Sequence, residues 1–155
     1  MAGSIQPLPH RYHVQAVAAA TGSVMVGAAG LPDLETHAPP EFGGPEGFWS
    51  PETLLAAAIS DCYILSFRAA ARASKLEWQN LEVGVDALLE HVDGITRFTR
   101  VKISPRLGIP PTVNEATAIG VLHKAKRMCL VTNSMNAECE LATLVYSVAV
   151  AQAAG

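Results

Sequence analysis

Between His10 and Ala29, Tyr12, Val14 and Ala16 alternate with polar or small residues before Thr21-Gly22, and Val24 and Val26 do so after it, which predicts a two-stranded hairpin. Residues 30 to 49 carry Pro32, Pro39, Pro40, Gly43, Gly44, Pro45 and Gly47, a density of chain breakers that leaves room for a loop with at most one short strand. The pattern then changes period. Ser50-Pro51-Glu52-Thr53 provides an N-cap, a proline at the first helical position and a first-turn acid. After it Leu54, Leu55, Ala58, Ile59, Cys62, Leu65, Ser66 and Ala69 recur at three- and four-residue steps, which predicts a helix to about Ser74.

Leu81, Val83, Val85, Ala87 and Leu89 alternate with Glu82, Gly84 and Asp86, and after Val92-Asp93-Gly94 the β-type composition resumes from Ile95 to Ile103. This second hairpin is expected to end at Pro105, Pro110 and Pro111. Asn114 then caps a second helix reaching Met128, with Cys129 at its end, and Ala137 to Ala149 suits a last strand. The expected order is ββ, α, ββ, α, β, an α+β arrangement in one domain spanning residues 1–155. Ala56, Ala57, Ile64 and Phe67 fill the remaining faces of the first helix, so it is apolar nearly all round and expects burial on more than one side.

Half the residues are apolar and only 16% are charged, which points to apolar surface covered by a second copy of the chain. The net charge of -3 and the scattered Lys and Arg give no basic footprint for nucleic acid. No run reaches the roughly 18 to 20 apolar residues of a membrane span, and no charged start leads into an apolar core at the N-terminus, so a cytoplasmic protein is expected.

Three cysteines without a secretion signal argue for reduced or redox-active thiols rather than a disulfide framework. Cys62 lies on the apolar stripe of the first helix, where a small buried hydrophobe is the bland reading. Cys129 follows His123, Lys124, Lys126 and Arg127, whose charge favours a thiolate, whereas the C-terminal end of a helix opposes one. Cys139 sits between Glu138 and Glu140, two carboxylates that disfavour a thiolate. Glu52 is ten residues ahead of Cys62, about 15 Å along one helix, so in a shared site either the carboxylate comes from a second subunit, which agrees with the over-apolar helix, or it acts through an intermediate group. Its structural alternative is a first-turn acid favoured by the helix dipole.

Other chemistry finds no motif. His10 and His13, read as part of a strand, point to opposite faces and do not make a metal site. Ser50, Ser60-Asp61 and Ser134 lack a nucleophile elbow, no CxxC occurs, and the GGPEG loop lacks the GK[ST] ending of a phosphate loop. No cofactor is implied.

Together, GGPEGFWSPETLLAAAISDCY and KAKRMCLVTNS resemble the two cysteine motifs of the OsmC/Ohr family of hydroperoxide reductases over nearly the whole chain. A Pro-Glu pair ten residues ahead of the first cysteine matches Pro51-Glu52 and Cys62, and a helix ending K-A-x-x-x-C matches Lys124 to Cys129. The resemblance implies an intertwined α+β homodimer, with antiparallel sheets packed around long central helices and sites at the subunit interface. It also implies that Cys62 attacks an organic hydroperoxide, that Cys129 resolves the sulfenic acid as a disulfide, that Glu52 orients or tunes the site, and that an external dithiol or lipoyl-type reductant restores the pair.

Two departures stand out. The arginine usual in the family's first hairpin is absent from Val17-Ala18-Ala19-Ala20-Thr21-Gly22, so an unpaired Glu52 beside the nucleophile would disfavour the thiolate, with Arg127 or Arg11 as substitute cations. Leu130 replaces the usual proline after the second cysteine, a change expected to be local. The missing arginine is also the main support for an alternative, a dimer of the same fold that binds a small apolar or thiol ligand and carries sensing or vestigial cysteines.

Overall fold

The computed structural model describes residues 3–149. Its chain forms two compact units, the first ending at Leu54 and the second beginning at Leu55.

In the first unit β1 (Gln15–Ala18) and β2 (Val24–Gly27) form the expected antiparallel hairpin, and β3 (Leu34–Thr36) adds to β2. Gly22, at φ 99°, makes the turn that a Cβ would strain. His10 and His13 precede β1, which corrects their assignment to a strand; Pro7 and Pro9 in that stretch lack the N–H groups a ladder needs. The sheet buries little: every residue of β1 is exposed.

Helix α1 runs Pro51–Ala73. Ser50 and Thr53 cap it reciprocally, the Thr53 N–H donating to Ser50 Oγ at 3.2 Å and the Ser50 N–H to Thr53 Oγ1 at 2.9 Å. Such a cap contributes about 1 kcal/mol. By length and composition α1 could cross a membrane, contrary to the count of uninterrupted apolar residues, which Ser60, Asp61, Ser66 and Arg68 break. Here its stripe Ile59, Tyr63, Phe67, Ala70 and Ala71 is buried in the core of the second unit.

That core is completed by strands β4 (Asn80–Val92), β5 (Ile95–Ile109), β6 (Glu138–Leu141) and β7 (Leu144–Ser147) and by helix α2 (Glu115–Met128). Asn114 caps α2, its side chain accepting from the Thr117 N–H. β4 and β5 are antiparallel, and β6 and β7 both pair parallel to β5. The single last strand expected from the sequence is therefore two strands laid end to end along β5.

Pro105 lies inside β5, opposite Val83, rather than ending it. β6 covers residues 100–103 and β7 covers 106–109 of that edge. Ile103 O accepts from the Ala142 N–H, and the two-residue alternation turns the nitrogen of Pro105 to the same side, into the gap between β6 and β7. No ladder donor is needed there.

Tyr63 ties α1 to α2: its hydroxyl, fully buried, donates to Leu122 O at 2.8 Å. Burial, with the Cys129 thiol nearby, pushes the phenol far above its ordinary range, so it stays a neutral donor. Tyr63→Phe keeps the ring and deletes the donor, and is expected to cost about 1 kcal/mol in urea unfolding with an unchanged m-value.

Candidate active site

The interior stripe of α1 leaves the next residue round, Cys62, at the margin of the core, half-buried. On the other side α2 stops at Met128, and Cys129, with φ −68° and ψ 99°, breaks the helix before the short α3 (Leu130–Asn133) resumes it. Cys129 is fully buried. The joint brings its thiol beside the Cys62 thiol, close enough for each to bear on the other's ionisation, and both sulfurs are free. Leu130 takes the first position of α3, where proline is well suited, so the replacement leaves the turn intact.

Neither charge effect weighed from the sequence decides the state of Cys129. Burial pushes its thiol above the ordinary range, the hydroxyl and N–H of Thr132 pull the other way, and contact with Cys62 adds to the rise. Thr132 is itself buried, and its hydroxyl also stands 3.1 Å from Cys129 O. The sequence offered only a small polar segment at this position.

The basic residues His123, Lys126 and Arg127 face another cavity, of about 550 Å³, which Cys139 also lines. Lys126 Nζ donates to Cys139 O at 2.6 Å. Arg127 is absent from the walls around Cys62, and Arg11 belongs to the first unit. Strand alternation also separates Cys139 from its sequence neighbours. Glu138 and Glu140 face outward with Asp86, Arg100 and Lys102, while Cys139, opposite Val101, packs against the core.

Glu52 sits in the first turn of α1, ten residues of continuous helix from Cys62, which is about 15 Å. Its Oε2 is buried without a hydrogen-bond partner among the described residues. A buried carboxylate oxygen left this way is costly.

Cys62 opens onto a pocket of about 490 Å³ walled by Ala58, Leu65 and Ala69 of α1 and by Met128, Leu130 and Val131. Ser66 and Asp61 are its polar members. An accessible thiol beside a buried one, with an apolar approach, can be oxidised by a peroxide oxygen to a sulfenic acid, from which the second thiol displaces water to form a disulfide.

Residues 43–143 match the family model for OsmC-like protein. The chain is 23% identical to an uncharacterised protein, YmaD, of Bacillus subtilis over 66% of its own length and 71% of that protein's. An OsmC-like protein of unknown function from Vibrio cholerae superposes with a TM-score of 0.80 at 17% identity, covering 88% of this chain and 100% of that one. An organic hydroperoxide resistance protein from Elizabethkingia anophelis, crystallised with thiocyanate, gives 0.73 at 20% identity over 92% and 100%. At these identities the solved structures establish the fold.

Burial of Cys129 predicts that iodoacetamide at neutral pH labels Cys62 first, with Cys129 following only as the pH rises. Thr132→Val, which removes the hydroxyl donor, should delay Cys129 further, as read by peptide mass spectrometry. The raised value also sets the sign of a stability change. The folded state keeps the Cys129 proton to higher pH than the unfolded chain, so this contribution is complete below the ordinary thiol value of roughly 8.5 and is lost as pH climbs through the folded value. Chemical denaturation should show that alkaline loss shrink in Cys129→Ser.

Proposed function

This chain belongs to the OsmC-like protein family, and from that premise we propose that it is a thiol-dependent peroxidase that reduces organic hydroperoxides through Cys62 and Cys129. The observation that carries the proposal is the approach of a pocket-facing thiol and a buried thiol from two different elements. The Cys62 thiolate attacks the outer oxygen of the hydroperoxide; an S–O bond forms, the O–O bond breaks, and the alkoxide leaves as the alcohol after taking a proton. Cys129 then attacks the oxidised sulfur, forming the S–S bond and releasing water. An external dithiol or lipoyl-type reductant attacks the disulfide, is itself oxidised, and returns both cysteines to thiols.

The walls supplied by Ala58, Leu65, Met128 and Leu130 favour an organic hydroperoxide over hydrogen peroxide, because they offer dispersion contacts that only a carbon substituent can use. The working unit is proposed to be a homodimer. Val17, Met25, Trp49 and Leu65 are exposed in the single chain, and Glu52 Oε2 needs a donor that the described residues do not give it. Glu52 is proposed to act across subunits, orienting the partner's site; the protein is proposed to work in the cytoplasm, with neither nucleic acid nor membrane as a partner.

The other reading, a dimer that binds a small ligand without turning over peroxide, draws its support from the sequence between Arg11 and Arg68, which contains neither lysine nor arginine. Stopped-flow mixing of the reduced protein with cumene hydroperoxide separates the two. Consumption by the wild type and by Cys129→Ser for one turnover, with none by Cys62→Ser, is the expected result. A wild-type rate no faster than that of Cys62→Ser removes the peroxidase reading.

A further inference from the structure

Within one chain, the described residues give the pocket at Cys62 one charged side chain, Asp61, among walls made by Ala58, Leu65, Ala69, Met128 and Val131. Asp61 precedes Cys62 in α1 and is exposed at the pocket's edge. Among the described residues of one chain, no basic side chain lines this pocket. Arg68, seven residues further along α1, is about 10.5 Å away by helical rise and lies outside the walls. Lys126 and Arg127, near in sequence to Cys129, line the cavity at Cys139 instead.

We propose that Asp61 is a specificity residue that makes Cys62 select uncharged electrophiles, so that the substrates are neutral alkyl, aryl or esterified hydroperoxides rather than those bearing a free carboxylate near the peroxide. This rests on the peroxidase reading for the word substrate, and on pocket geometry alone for the selection. Two effects act in the same direction. An anionic substituent entering the apolar walls loses hydration, and the walls this chain supplies offer it no cation. It also meets the Asp61 carboxylate at close range, and one unit of like charge at about 7 Å in a medium between protein surface and water slows approach roughly five- to tenfold. Such a penalty weakens with salt, because a Debye length at physiological ionic strength is about 8 Å.

The test compares reagents matched in shape and different in charge, on wild type and Asp61→Asn. Cys62 is alkylated with iodoacetamide or iodoacetate, and the reduced protein is mixed with cumene hydroperoxide or its ring-carboxylated analogue. The expected wild-type rate ratio of neutral to anionic reagent exceeds the free-thiol ratio about five- to tenfold at low salt. It falls toward the free-thiol ratio in Asp61→Asn and in high salt. Because the comparison is a ratio, a general change in Cys62 reactivity cancels. An alkylation ratio equal in the two proteins, or a wild type that shows no preference beyond that of a free thiol, overturns the selection. If alkylation shows the Asp61-dependent ratio while neither hydroperoxide is consumed, the selection stands and the peroxidase reading falls.

Discussion

The site depends on one buried stripe of α1. Ile59, Tyr63, Phe67 and Ala70 face the core together, as one apolar stripe of a long helix must. Once they do, helical geometry leaves no freedom for Cys62. It follows the stripe by a fixed rotation and arrives at the core's edge, where one flank is packed and the other meets the pocket. The Tyr63 hydroxyl then fastens the same turn of α1 to Leu122, about two turns before Cys129 at the end of α2. Packing that stabilises the fold thus also sets the approach of the two sulfurs.

The two thiols acquire different characters from this arrangement. Cys62 shares an apolar pocket with a carboxylate, whereas Cys129 is enclosed, raised by burial and steadied by Thr132. A thiol that is hard to ionise is a poor first nucleophile but a suitable second one, because attack within a preformed pair replaces a bimolecular encounter with an intramolecular step. The division of labour proposed for them rests on burial, and Lys126 and Arg127, near Cys129 in sequence, line the cavity at Cys139 instead.

Much of this was legible in the residues. The Ser50-Pro51 start of α1, the Asn114 cap of α2 and the alternation along β4 each report a local rule, and each element appears where that rule places it. Cys62 and Cys129 could be singled out only through their motif context, since residue chemistry alone made Cys62 an ordinary core residue. What could not be read depends on contacts between distant segments. Pro105 survives inside β5 only because β6 and β7 leave a gap opposite it. Cys139 is turned from its flanking glutamates by strand alternation, and Lys126 is drawn to the Cys139 carbonyl rather than to the sulfur of Cys129. Thr132 showed no signal, because its importance lies in where α3 folds back.

The most direct measurement is disulfide mapping. Reduced protein treated with one equivalent of cumene hydroperoxide, blocked with an alkylating agent, digested without reductant and analysed by mass spectrometry should yield a Cys62–Cys129 linked peptide within one chain, with Cys139 alkylated. A disulfide involving Cys139, or oxidation that leaves Cys62 and Cys129 both alkylated, would contradict the account.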